Sequence, residues 1–420
     1  MKINKVAIIG GGLAGLSSAI LLAKSGIKVS LFEKSNTLGG RARTTDDDGI
    51  MFNLGAHALY NAGEAKKILT ELGVNIKGSS PEIGGYVLKN NELNLLPANL
   101  YSLFTSKIIK SYRSKFELSK ILMSLPFIDL NNTKNISIEE WIDQNIKSED
   151  VKELFYALVR LWTYSNNYTQ NAYIVLQQAI KALKDNVTYI DYGWQSLIKQ
   201  LEEIALKLGV DINTGSKIDK VVEDKEYSNI IFKNSLSLNF DYIIFSISPN
   251  EILSLLDNEK IKEYVNEVKP IKVSCLDLAL EKLPNPNISF ILGIDKDIYY
   301  SVHSKYAFLS KNNKTIVHLI KYLSNDNEAK NSLKDFENLM DIVQPDWEKY
   351  IIKQRFLPKM IVSNNIYPSS GKRPNVKLEG TSNIYICGDW VGNKGLLADA
   401  SLSSSIEATN IIKEKILIYR

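Results

Sequence analysis

The 420-residue sequence has only two cysteines, Cys275 and Cys387. That is too few for a disulfide framework, and neither stands in a CxxC pair or a His/Cys cluster, which argues against a structural zinc site. Both lie in apolar, strand-like runs (KVSCLDLAL and IYICGD) where packing is the ordinary role. Long apolar runs are also missing: none reaches the ~18 residues of a membrane-spanning helix. Charge of one sign is scarce as well. A net +4 on this length argues against a dedicated nucleic-acid binder. No leader is evident, because Met1-Lys2 runs directly into a strand that the next motif needs. The expected setting is reducing and cytoplasmic. What remains, 45% hydrophobic and 23% charged residues, is ordinary globular composition, and the length predicts two or three domains.

The most informative stretch is KVAIIGGGLAGLSSAILLAKSGIKVSLFEK, residues 5–34. KVAIIG reads as a parallel strand buried on both faces, LAGLSSAILLAKSG as a helix ending near Gly26, and KVSLFE as a second strand. Between the first two lies Gly10-x-Gly12-x-x-Gly15. Gly10 permits the tight turn, Gly12 lets backbone approach a pyrophosphate, and Gly15 lets helix and sheet pack closely. The helix start at Leu13 and Ala14 then offers N–H groups to phosphate. Glu33, with Lys34 after it, ends the second strand. A carboxylate there accepts from ribose hydroxyls and repels a 2′-phosphate, which disfavours NADP.

Along the rest of the chain, α/β texture at 1–80, 191–250 and 370–420 alternates with two inserts, 81–190 and 251–369. The first insert reads as mostly helical and the second as a sheet with a helix over 326–350. The simplest architecture joins the three α/β pieces into one nucleotide domain and the inserts into a second domain.

The segment EKSNTLGGRART resembles the signature of FAD-containing amine oxidases, carotenoid (phytoene) desaturases and protoporphyrinogen oxidases. The resemblance implies that Gly39, Gly40, Arg41 and Ala42 approach the FAD pyrophosphate, where glycine backbone and a guanidinium suit a dianion. FNLGAHALY is similar to the family's segment beside the flavin ring, which places Gly55, Ala56 and His57 there. YGWQSLIKQLEEIALKLGVDINTGSKIDKVV resembles its middle block, with Ile218 binding adenine through its backbone. NIYICGDWVGNKGLLADASLSSSIEA resembles its C-terminal block. Gly388 and Asp389 would contact pyrophosphate and ribityl chain, and the helix start at Leu397-Ala398 would face the flavin N1/C2 region. The implied fold is a Rossmann-like FAD domain of glutathione-reductase type interleaved with a substrate domain of mixed sheet and helical cap. No cysteine aligns with the position used for covalent flavin, so non-covalent FAD is expected.

A flavin accepts hydride from an activated C–H, and the protein orients substrate and tunes the ring. The family lysine that serves amine oxidation aligns with Leu280, Lys282 standing two residues on. That departure, and the texture of the C-terminal block, favour the desaturase branch over an amine oxidase using O2, with a flavin-dependent isomerase and an FAD-free escort as further readings. His57 has two readings, an acid/base or orienting group and a histidine bound to cofactor or backbone. Trp390 could pack near the flavin or fill a domain seam. Trp162, Tyr164, Tyr168 and Tyr192 could line a substrate cavity or belong to core, and Arg160 could bind an acidic group or form an ion pair. Residues 99–127 pair Lys107, Lys110, Arg113, Lys115 and Lys120 with an apolar face of Tyr101, Phe104, Ile108 and Tyr112. This is either a peripheral contact with an anionic membrane that admits an apolar small-molecule substrate, or a solvated basic face. Substrate and electron acceptor are not named by any motif.

Overall fold

A computed structural model describes residues 4–224, 227–364 and 373–418. Much of the loop PSSGKRP (368–374) and the start of the 370–420 segment therefore fall outside the described residues. β1 (Lys5–Ile9), α1 (Leu13–Ala23) and β2 (Lys28–Phe32) form the expected βαβ unit. β1 is central in a five-stranded sheet ordered Asp211–Asn213, β2, β1, Tyr242–Phe245, Ile384–Ile386, every pair parallel. Its strands are short and apolar because both faces are covered: α1 packs against the helices Gln195–Lys207 and Leu397–Ile418. An antiparallel three-stranded sheet (Ile218–Glu223, Ser228–Phe232, Ser237–Phe240) adjoins it. Pro249 opens the helix Pro249–Leu255, where Ser248 and Glu251 form a capping box.

The second body is built on a seven-stranded mixed sheet in which Ile271–Leu280 lies between the edge strand Ile351–Ser363 and Thr315–Tyr322. Helices Tyr112–Ser124, Ile138–Asn145, Glu149–Thr163 and Ala172–Asp185 gather over their own core around Trp141, Phe155 and Trp162. The first insert is mostly helical, with one feature that the sequence reading did not include. The 81–190 insert is not helical at its start: Tyr86–Lys89 and Glu92–Leu95 form a hairpin that extends the seven-stranded sheet. The turn is Asn90-Asn91, both left-handed at φ 52° and 63°, a turn chemistry that asparagine tolerates.

Candidate active site

The parallel sheet aims the carboxyl ends of its strands at a cavity of about 820 Å3. In such sheets this is where ligands sit. At one end the wall is Gly10–Ala14. Gly10 has φ +107°, and a Cβ on Gly15 would lie 2.0 Å from the Gly10 carbonyl oxygen, so Gly15 lies beneath the loop and does not itself face the cavity. Gly12 is the N-cap of α1 with no side-chain cap, leaving first-turn N–H groups for a ligand. A Cβ there would meet only Gly39 oxygen, at 3.8 Å. Glu33 is buried, its carboxylate accepting from the Gly11 N–H at 2.7 Å and the Ser35 N–H at 2.8 Å. Lone pairs remain on it for a sugar hydroxyl. Lys34 is drawn outward to Glu251. Ile218 lines the same end beside Ser216 and Lys217.

In the middle, Gly39–Ala42 comes over from one side and Gly388-Asp389 from the other. Arg41 donates two hydrogen bonds to Asp389, at 2.7 and 2.6 Å, and one to the Val362 carbonyl at 2.8 Å. Burial alone would raise the Asp389 pKa, but the guanidinium and the Asn364 N–H outweigh it and hold the carboxyl far below its ordinary range. Burial would likewise lower the Arg41 pKa, and Asp389 more than compensates. Asp389 thus presents Arg41, whose side chain keeps 42% exposure, toward the cavity.

The other end is assembled from five distant segments. Ala56 and His57 line it together with Tyr60, Tyr164, Met360, Val362, Leu397 and Ala398. Gly55 is one step behind: a Cβ on it would strike Met360 Cε at 2.4 Å. His57 is half-buried, Nδ1 lying 3.1 Å from Gly55 oxygen and Nε2 3.1 Å from Arg41 oxygen. Burial is the leading cause of its lowered pKa, only partly offset by those carbonyls. Each ring nitrogen faces a carbonyl oxygen, and a neutral ring can donate to only one of them. Trp194 stands edge-on to it at 5.2 Å. Leu397 starts the C-terminal helix at φ +53°, with the helix N-terminus on the cavity.

Among the aromatic candidates the structure separates roles. Tyr164 lines the cavity and donates to the Ala56 carbonyl at 3.0 Å. Trp390 lines the cavity, donates to Ile247 oxygen and packs on Tyr264. Trp162 belongs to the helical core, and Tyr192 is an exposed partner of Phe308. Arg160 is buried against Asp297, Tyr168 and the carbonyls of Gly293 and Ile294, away from the cavity. Leu280 is buried in another core, and Lys282 lies over the Tyr350 ring. Sequence reasoning missed Trp194, Met360, Val362 and Asp399. None has a signal beyond a common residue type, and only the fold brings Ile351–Ser363 across the loop at 55–57.

Residues 13–412 match the family model for flavin containing amine oxidoreductase. A 4,4'-diaponeurosporene oxygenase of Staphylococcus haemolyticus is 26% identical over 73% of this chain and 66% of its own length. A 4,4'-diapolycopen-4-al dehydrogenase of Metabacillus indicus is 24% identical over 58% of this chain and 55% of its own. The chain thus spans between about half and two thirds of these curated relatives. Among solved structures, an oxidoreductase from Methanosarcina mazei superposes with a TM-score of 0.79 at 18% identity, covering 97% of this chain and all of that one. A putrescine oxidase superposes with a TM-score of 0.72 at 13% identity, over 98% and 99%. At these identities the structures speak for the fold. With the family model spanning nearly the whole sequence, the chain belongs to the flavin-containing amine oxidoreductase family.

Proposed function

We propose that the protein is an FAD-dependent dehydrogenase that holds FAD non-covalently and takes hydride from a substrate C–H, in the manner of carotenoid-type desaturases. The observation that carries this is the joint lining of one cavity by Gly10–Ala14, Glu33, Gly39–Arg41, Gly388-Asp389 and Leu397-Ala398. In this reading 1–80, 191–250 and 370–420 form the FAD-binding domain and 81–190 with 251–369 the substrate domain. Glu33 and Ile218 would hold the adenosine, and the α1 N-terminus with Arg41 the pyrophosphate. Bound flavin would supply hydride acceptance at the other end. There Tyr60, Tyr164, Met360 and Leu397 would exclude water and orient an apolar substrate, and His57 would be held in place by the Gly55 and Arg41 carbonyls. A helix N-terminus at Leu397-Ala398 favours negative charge on that side of the cavity.

The relatives named for diapocarotenoid oxygenation and dehydrogenation favour an apolar polyene substrate. A second reading, an amine oxidase using O2, draws support from the aromatic wall of Tyr60, Tyr164 and Trp194 and from the absence of any 99–127 residue from the cavity lining. Against it, neither Leu280 nor Lys282 reaches the cavity, and Lys359, which does, leans toward Asp326 at 3.7 Å. Anaerobic mixing of the holoprotein with a C30 polyene in vesicles or with an aliphatic amine, followed by the flavin's visible absorbance, decides between them. Bleaching by the polyene alone is expected, and bleaching by the amine alone overturns the desaturase reading.

We further propose that 99–127 docks on an anionic membrane. Leu100, Tyr101, Phe104, Tyr112, Phe116, Met123 and Phe127 are each 58–86% exposed beside the five basic residues, although Ile108 is buried. No helix among the described residues is long and apolar enough to cross a membrane, so the contact would be peripheral. Sedimentation with anionic vesicles at low salt, lost with neutral vesicles, is the expected result.

A further inference from the structure

Behind the loop that carries Ala56 and His57 into the cavity lies a buried polar cluster with no part in the scheme above. Asp277 is at the centre of Ile271–Leu280 and has no exposure. Directly opposite it stand His318 on one neighbouring strand and Arg355 on the other. Its Oδ1 accepts from His318 Nδ1 at 2.6 Å and from the Cys275 thiol at 3.1 Å. Its Oδ2 accepts from Arg355 Nε at 2.9 Å and Nη2 at 2.5 Å. Burial would raise the carboxyl's pKa, and His318 with Arg355 outweighs it and keeps the group ionised.

Stability alone does not call for this arrangement, because well-packed apolar residues commonly serve a core as well as a buried ion pair. The cluster's outer atoms end on the paired strands Thr44–Asp47 and Ile50–Asn53 and on the loop that follows them. Arg355 Nη2 also donates to the Asn53 carbonyl, and Nη1 to Thr45 Oγ1 at 3.1 Å. Cys275 Sγ lies against this loop, 3.7 Å from where a Cβ on Gly55 would stand. Asn53 Oδ1 in turn accepts from the Trp194 N–H at 3.0 Å, and the Trp194 ring braces His57.

We propose that Asp277 is a positioning residue: with Arg355 and Cys275 it fixes Asn53–His57 from the substrate side, and so sets Ala56 and His57 against the flavin. This rests on the flavin reading of the cavity. All three histidines of the chain lie in this region, His303 ring to ring with His318 at 4.5 Å and stacked on Tyr189. Cys275 Sγ, Asp277 and His318 also offer ligand atoms within 4.8 Å of one another. The Arg355 guanidinium already supplies the countercharge to Asp277, while His318 Nε2 is buried with no hydrogen-bond partner among the described residues.

The test compares Cys275→Ala, Cys275→Ser and Arg355→Lys with Leu278→Ala, a control on the same strand in a different core. Full-length protein is reconstituted with FAD, and its FAD dissociation constant, visible circular dichroism and thermal midpoint are measured. Cys275→Ala and Arg355→Lys are expected to weaken FAD binding about tenfold, the scale of one or two lost hydrogen bonds, and to change the visible dichroism. Cys275→Ser should restore both, and Leu278→Ala should lower the thermal midpoint while leaving both unchanged. Wild-type FAD binding in Cys275→Ala and Arg355→Lys overturns the proposal alone, as does a stoichiometric metal ion in the purified protein. A wild-type protein that takes no FAD overturns it together with the reading of the cavity.

Discussion

The two ends of the cavity are made differently. The end proposed for the nucleotide is a local device: within residues 9–41 the chain supplies a positive-φ turn, an uncapped helix start, a buried carboxylate and a guanidinium. The end proposed for chemistry is a meeting place, where residues from 54–60, 164, 194, 360–362 and 396–399 contribute one or a few side chains each. Backbone and charge define the first, and packing defines the second. Changes at the first end should therefore be abrupt, and changes at the second graded.

Gly15→Val should have the largest effect. With the Gly10 oxygen 2.0 Å from an added Cβ, the helix must leave the sheet, at a cost of about 3 kcal/mol or more from overpacking. Urea unfolding should show this together with complete loss of FAD binding. Retained FAD binding would mean that the close helix–sheet approach is not what shapes the loop.

Next is Arg41→Met, which leaves Asp389 buried without its cation. Because the guanidinium is partly exposed, the expected cost is about 2 kcal/mol, below the range for a fully buried pair. The sign with pH is set by the depressed Asp389 pKa. The pair's contribution is full above the unfolded carboxyl pKa of about 4 and is lost as pH falls toward the lower folded value. The gap between wild type and variant should therefore narrow below about pH 4, and a gap independent of acid would assign the loss to packing.

Tyr164→Phe, at the other end, removes one hydrogen bond to the Ala56 carbonyl. About 1 kcal/mol is expected, with turnover altered and a smaller loss of FAD affinity than in Arg41→Met. An equal loss of FAD affinity would erase the contrast between the ends.

His57→Gln is the smallest. Its lowered pKa means that the unfolded chain binds more protons in the window below about 6.5. Wild-type stability should fall as pH drops through that window, by no more than ~1 kcal/mol, and the variant should be flatter. Identical pH curves would place the histidine in ordinary solvent.

This contrast also marks what could be read from the sequence. Gly10, Gly12, Glu33 and Gly39–Arg41 were legible because each needs a particular backbone conformation or charge at a fixed spacing. Tyr164 was visible only as one aromatic among several, and Met360 not at all, because a strand residue outside every motif carries no local sign of what the fold sets beside it. The hairpin at 86–95 was missed for a smaller reason, an Asn-Asn turn inside a helix-rich stretch. Arg160 illustrates the converse: a functional-looking residue whose donors are spent on Asp297, the Tyr168 hydroxyl and the carbonyls of Gly293 and Ile294.

The central claim is that this cavity holds FAD without a covalent bond. Acid precipitation of the purified protein, with chromatography of the supernatant, tests it most directly. The account predicts intact FAD in the supernatant at close to one per chain and a colourless pellet. Colour retained in the pellet, or a protein that neither carries FAD nor takes it up, would contradict it.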